Sequence, residues 1–386
     1  MENQRCIVAL NIAVFLIMFG VGLIVSLLPH KIFTLTGSFK TVGWLASFFA
    51  VSFVLLQFPI GRLSDRYGFK RFLAGGYLIC SLSGLLYWFS QSQETVFFGR
   101  MLQGAGEAPL WALAPALLCT LRPESKGKAI GVYNASLHLG LTLGSGFGIV
   151  ISSRWLNNEP FLLFALLCAL GALLIIAFVQ EPESRTLAPD GEIDYRELHL
   201  LIKRPETLAV LSGIILYGAG YGSFITVLPG FLMEYKGFSQ AGVGWFFMFF
   251  YTAVSLSQIV AGPMSDRCGS GKIMLCGLAA AAAGLVIFPC MDGWTVHPWL
   301  FLASWGLGMF CVSSLAWLNN AVGDSLKGTA SGAFYLFWGL GYFGGPIILG
   351  ACLGSAGGPA GFRILAGLYL ITAMLQGGIQ LRGVNR

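Results

Sequence analysis

The 386-residue chain is 56% hydrophobic and only 10% charged, with a formal net charge of +6. A soluble domain of average make-up carries about 25% charged residues, so this chain cannot cover itself with charge and its solvent is lipid. The 52 glycines follow no period, which excludes collagen and fits close helix packing in a membrane; the nine cysteines form no C-x-x-C pair, which argues against a disulfide framework or a metal site.

A spanning helix needs about 20 mostly apolar residues. The first apolar run, 7–29, is too long for the core of a signal peptide and lacks a clear small-residue cleavage site. It reads as a spanning helix that stays in place. Further runs follow at 41–61, 72–90, 95–120, 129–152 and 160–179. Then comes the longest polar stretch, Glu181 to Glu206, with Pro182, Pro189 and Pro205 and a charged segment around Glu192, Asp194 and Glu197. It reads as a linker, either plainly solvated or forming a short surface helix over 192–204. Six more runs occupy 207–232, 241–263, 273–291, 297–321, 329–352 and 361–381. The predicted fold is an all-α integral membrane protein of twelve transmembrane helices. They form two pseudo-symmetric six-helix bundles, 1–180 and 207–386, joined by a linker over 181–206.

The halves repeat each other at an offset of 200–201 residues. Leu28-Pro29 is answered by Leu228-Pro229, Val42-Gly43-Trp44 by Val243-Gly244-Trp245, and Gln57 by Gln258. Gly61-Arg62-Leu63-Ser64-Asp65-Arg66 is answered by Gly262-Pro263-Met264-Ser265-Asp266-Arg267. Lys126-Gly127, Gly131, Gly140 and Gly144 are answered by Lys327-Gly328, Gly332, Gly341 and Gly345. One internal repeat in a strongly apolar chain marks a two-halved membrane protein.

With the N-terminus inside, most of the 23 Lys and Arg fall in inner segments. The outer ones hold only Lys31, Lys40, Arg154 and Lys236, while Arg100 and Arg363 lie within spans. This bias predicts a multi-pass protein of the cytoplasmic (inner) membrane with both termini cytoplasmic. It also explains the positive charge by topology and lipid headgroups, so no nucleic-acid partner is implied.

Gly61 to Arg71, reading G-R-L-S-D-R-Y-G-F-K-R, is expected in the inner loop between the second and third spans. It resembles the signature loop of the major facilitator superfamily, and the second copy from Gly262 to Lys272 is a weaker match. The resemblance covers essentially the whole chain. It implies a secondary transporter whose loop residues Gly61, Asp65, Arg66, Gly68, Lys70 and Arg71, with Asp266 and Arg267, latch the halves in one state. Glu124 and Asp324, at the inner ends of the fourth and tenth spans, are the expected partners. On physical grounds alone, glycines permit a tight turn and Asp65 can meet a helix N-terminus. A plain positive-inside anchor is the alternative.

The fourth span opens with Arg100-Met101-Leu102-Gln103-Gly104-Ala105-Gly106-Glu107-Ala108, which resembles a second signature of the family. Arg100, Gln103, Glu107 and Trp111 recur at helical spacing and share one face. At a rise of 1.5 Å per residue, Glu107 lies ~10 Å deeper than Arg100. A carboxyl there is costly to ionise without a partner, so it can hold a proton and release it when water or a cation arrives. The alternative is a neutral Glu gluing two helices together. By resemblance, Arg100 tunes proton exchange.

In the fifth span Gly140, Gly144 and Gly148 form a small-residue stripe suited to close helix contact. Asn134, His138, Thr142 and Ser145 are expected on the opposite, cavity-facing side. The stripe partly resembles the antiporter signature of drug exporters, with Ser145 where that pattern has proline. His138 can titrate near neutrality, although a buried His is more often a satisfied hydrogen-bonder.

Further cavity candidates are Gln57, Trp111, Gln258, Tyr217, Tyr221, Asn319 and Asn320, which can orient a polar ligand without a buried charge. Arg100, Glu107 and His138 correspond to Phe301, Gly308 and Gly339 in the second half, so the titratable core groups sit in the first. No nucleotide, metal or catalytic motif appears, so no enzyme activity and no cofactor are expected, and energy is expected from a proton gradient. The sequence therefore predicts a monomeric, proton-coupled transporter of a small organic molecule, leaning to efflux. Uptake of a nutrient or metal-chelate is the alternative, and a transport-inactive receptor or assembly protein the second one.

Overall fold

The computed structural model describes residues 2–122, 126–152, 158–180, 204–321, 327–356 and 359–384, and among them the regular structure is entirely helical. The first half holds α1 (Glu2–Ile24), α2 (Leu27–Thr36), α3 (Phe39–Tyr67), α4 (Phe69–Phe89), α5 (Gln93–Leu121), α6 (Lys126–Ser152) and α7 (Glu159–Phe178). The second holds α8 (Pro205–Lys236), α9 (Gln240–Cys268), α10 (Ser270–Ile287), α11 (Val296–Asn320), α12 (Lys327–Ala356) and α13 (Ala360–Val384). α1 and α2 together make one apolar span, Asn3–Thr36; ten such segments among the described residues are long and apolar enough to cross a membrane, and α5 and α6 bring the long helices to twelve.

The first span differs from expectation in running past residue 29 to Thr36, with a break at Val25-Ser26. Pro29 has no N–H to offer the Val25 carbonyl one turn earlier, and its ring crowds that carbonyl, so the break falls there. Its counterpart Pro229 sits inside the unbroken α8.

The signature segment is also helix rather than loop. α3 continues to Tyr67, and the chain turns at the single residue Gly68, with φ 101°, before α4 begins at Phe69. Gly269 does the same between α9 and α10 with φ 91°. Such a backbone is open to glycine and strained for any other residue. Gly61 is not the turn residue, and a Cβ there would meet open space.

The repeat extends to the caps. Gly37 (φ 64°) closes α2 and Gly237 (φ 65°) closes α8, both left-handed. The next helices open alike: Ser38 Oγ accepts from the Thr41 N–H at 3.3 Å, and Ser239 Oγ from the Gly242 N–H at 3.2 Å.

The described residues divide into two compact units, built mainly on α1–α7 and α8–α13, with Ser38–Gly43 grouping with the second and Phe238–Met248 with the first. In the first unit α6 lies against α1. A Cβ at Gly140 would come within 2.6 Å of the Phe15 carbonyl oxygen, and one at Gly144 would meet the Phe19 carbonyl. In the second unit α12 lies against α8 by the same means, with Gly341 on the Ile215 carbonyl and Gly345 on Ala219. Lipid offers helices no hydrophobic drive to associate, so this backbone proximity supplies the attraction. Each unit is also clipped by a lysine. Lys31 Nζ donates to the Tyr87 carbonyl at 2.9 Å and to Asn158 Oδ1 at 3.0 Å. Lys236 Nζ donates to the Pro289 and Met291 carbonyls and pairs with Asp292, each at 2.8 Å.

Candidate functional site

The site is built on α5, which two glycines let sink between its neighbours. At Gly104 a Cβ would collide with the Phe49 carbonyl and Ser52 of α3. At Gly106 it would lie 2.5 Å from Cys80 Sγ of α4. Ser52 Oγ fastens the first of these seams by donating to the Met101 carbonyl at 2.7 Å. Pro109, inside α5, leaves the Ala105 carbonyl without its helical donor. Tyr133 of α6 ties into the same region, its hydroxyl donating to the Leu110 carbonyl at 3.2 Å.

Along the buried face of α5 runs one hydrogen-bonded chain. Arg100 Nε donates to the Leu45 carbonyl at 3.1 Å, and its guanidinium lies over the Phe49 ring at 4.7 Å. Arg100 Nη1 donates to Gln103 Oε1 at 2.9 Å, and the Tyr87 hydroxyl from α4 donates to the same oxygen at 2.8 Å. Gln103 Nε2 then donates to Glu107 Oε1 at 2.9 Å. Trp111 Nε1 reaches the other oxygen, Glu107 Oε2, at 3.4 Å. Arg100, Gln103 and Glu107 are 7%, 1% and 5% exposed, so the chain is out of solvent.

The order of these bonds has a chemical consequence. The Gln103 amide bridges Arg100 and Glu107. Two donors on its oxygen fix its orientation and polarise its N–H toward the carboxyl. The Arg100 charge has its own balance in a carbonyl and a ring face. Glu107 receives one good neutral donor and one long one.

The other sequence candidates fall as follows. Trp111 joins the chain. Tyr217 and Tyr221 meet edge-on in α8, with ring centroids 5.9 Å apart. Gln57 is half-buried, and its Nε2 has no hydrogen-bond partner among the described residues. Gln258 is half-buried on α9, and Asn134 is exposed on α6. Asn319 Nδ2 donates to the Leu315 carbonyl of its own helix at 2.9 Å, and Asn320, the last residue of α11, is exposed. His138 is half-buried on α6, and the α5 chain closes without it. Ser145 is a correction: it is 2% exposed and donates to the Leu141 and Gly22 carbonyls, so it faces α1 rather than a cavity. The reason is its place beside Gly144 in the close α1–α6 seam.

Of the loop residues, Gly68 forms the turn, Lys70 is half-buried, and Arg71, Asp266 and Arg267 are exposed. The side chains of Asp65 and Arg66, the residues Glu124 and Asp324, and the linker over 181–203 lie outside the described residues.

The residue that sequence reasoning left out of the site is Tyr87. It comes from another helix at no helical spacing to α5, so no local pattern could have shown it. Gln103 had a signal, its i+3 position from Arg100, but its part as the link between Arg100 and Glu107 did not show.

Long helices in two glycine-seamed units define a multi-pass membrane protein. The family model for the Major Facilitator Superfamily matches residues 10–212 and 210–377, and the chain belongs to that family. It is 24% identical to Multidrug resistance protein 2 of Bacillus subtilis over 90% of this chain and 89% of that protein. It is 26% identical to the class G tetracycline resistance protein of Vibrio anguillarum, over 91% of this chain and 92% of that one. Among solved structures, the nucleoside transporter NupG shares the fold, with a TM-score of 0.81 at 15% identity over 97% of this chain and 98% of that one.

Proposed function

We propose that the chain is a proton-coupled secondary transporter that exports a drug-like or metabolic small organic molecule by alternating access. In this reading it works as a monomer in the cytoplasmic membrane with both termini inside. The observation that carries the coupling is the buried Glu107 carboxyl, joined to Arg100 through Gln103. Protonation of Glu107 removes a buried charge, and deprotonation is eased by the polarised Gln103 amide and the Trp111 N–H. Coupling follows if substrate binding favours one protonation state over the other. Arg100 acts as a positioning residue through Gln103. His138 stands outside the chain, and the proposal does not rest on it. The export direction is supported by relatives named for multidrug and tetracycline resistance.

The test is a substrate screen in inside-out vesicles with an imposed pH gradient. Export coupled to protons gives uptake into such vesicles that collapses with an uncoupler and is lost in Glu107→Gln. Gradient-driven uptake into right-side-out vesicles would reverse the direction, to import of a nutrient or chelate. Saturable binding without flux in either vesicle type would instead support the receptor.

A further inference from the structure

The second unit carries an aromatic cluster that the packing of its helices does not require. Gly218 and Gly222 of α8 bring α12 close: a Cβ at Gly218 would meet the Trp338 carbonyl, and one at Gly222 would lie 2.9 Å from Pro346 Cγ and 3.1 Å from Tyr342 Cδ2. This proximity sets the ring of Tyr221 beside those of Trp338 and Tyr342, with Tyr217 against Tyr221, Phe310 and Phe334. Centroids lie 6.2 Å apart for Tyr221–Trp338, 4.8 Å for Trp338–Tyr342, and 5.3 Å for Tyr221 and Phe250 of α9. Tyr217, Tyr342 and Phe250 are buried, whereas Tyr221 and Trp338 are half-buried.

The repeat supplies a built-in control. The α1–α6 seam of the first unit is made by Gly140 and Gly144, as the α8–α12 seam is made by Gly341 and Gly345. At the same offsets, positions 217, 221, 338 and 342 correspond to Ile17, Val21, Leu137 and Leu141. The first unit's helix pair keeps its own rings, Phe15, Phe19 and Phe147, at other positions, so the seam itself does not demand rings at these four places. Charge narrows what they serve. Residues 207–233, 249–265, 273–291, 298–321, 328–356 and 364–381 contain no Asp, Glu, Lys or Arg. A carboxylate or phosphate on a ligand would find no counter-ion within these spans, and a buried unpaired charge is costly. Ring faces, ring edges and tyrosine hydroxyls remain, and these suit a flat aromatic system by offset stacking and edge contact.

We propose that the cluster around Tyr221 and Trp338 seats the flat, uncharged aromatic part of the transported molecule. This names the substrate class and rests on the reading of the chain as a transporter of small organic molecules. Binding is measured by calorimetry on the purified full chain at fixed pH without a gradient, so its failure is separate from any failure of proton coupling. The probes are acridone, its ring-saturated counterpart, and N-methylacridinium. Acridone is expected to bind about tenfold more tightly than the saturated compound, as aromatic contact beyond area burial predicts. Trp338→Leu is expected to weaken acridone by a similar factor. Trp338→Phe, which keeps a ring, retains most of the binding, and Leu340→Ala, an exposed site on the same helix, retains all of it. Equal binding of acridone and its saturated counterpart overturns the proposal. So does binding of the acridinium cation alone, or loss of binding in Trp338→Phe equal to that in Trp338→Leu.

Discussion

The two units share a backbone plan and differ in what they place on it. In the first, the face of α5 carries Arg100, Gln103, Glu107 and Trp111 in one buried polar chain. In the second, the corresponding α11 positions of Arg100 and Glu107 are Phe301 and Gly308. A Cβ at Gly308 would collide with Ser257 of α9, so even alanine would crowd that place. Conversely, the second unit has Tyr217, Tyr221, Trp338 and Tyr342 on α8 and α12 where the first has Ile17, Val21, Leu137 and Leu141. Glycines and caps recur because both bundles need the same seams and turns, and a titratable group or a ring cluster recurs only if both halves need its chemistry. The difference between the halves is therefore the best guide to which residues act and which hold the scaffold.

The largest effect expected is at the polar chain. Glu107→Gln keeps shape and hydrogen bonding but cannot lose a proton, so pH-gradient-driven flux falls to background while substrate binding persists. Flux and equilibrium binding measured on the same preparation check this. Arg100→Met should come next. It leaves Gln103 Oε1 with Tyr87 as its remaining donor and removes two charged hydrogen bonds, each worth about 1.5–3 kcal/mol, seen as lower thermal stability and slower coupled flux. Its counterpart in the comparison is Trp338→Leu, which should raise the half-saturating substrate concentration and leave the shape of the pH–flux profile unchanged. A shifted profile there would break the division of labour between the units.

The scaffold predictions are symmetric. Gly140→Val and Gly341→Val each force α6 or α12 off its partner helix and should each destabilise by about 1–3 kcal/mol. Thermal unfolding in detergent would show similar losses; tolerance at one position alone would contradict the shared seam. The smallest effect expected is at Asp292, whose side chain is 88% exposed while Lys236 keeps the Pro289 and Met291 carbonyls. Asp292→Asn should cost no more than about 1 kcal/mol, in contrast to Lys236→Met, which removes all three contacts.

Much of this was legible before any coordinates. The apolar runs locate all twelve long helices, and the spacing of Arg100, Gln103, Glu107 and Trp111 places them on one face, because both depend on periodicity within a single helix. What the spacing could not show was what arrives from elsewhere. Tyr87 reaches Gln103 from α4, and Ser145 turns to α1 because Gly144 beside it brings that helix close. The glycines of the signature segment mark a tight turn but do not say which of them makes it. The backbone needs glycine's freedom only at Gly68, and the equal spacing to Gly269 was the available clue. The aromatic cluster was half visible in Tyr217 and Tyr221. Trp338 and Tyr342 join them from a helix more than a hundred residues away, and comparison with Leu137 and Leu141 gives the aromatic identity its meaning.

The central claim is that the Glu107 carboxyl exchanges the coupled proton. Its most direct test uses the compound found by the vesicle screen, added to purified protein in weakly buffered detergent solution with a pH indicator. The account predicts that binding releases protons from the wild-type chain and releases none from Glu107→Gln, although both bind the compound. Equal proton release from the two proteins would contradict it.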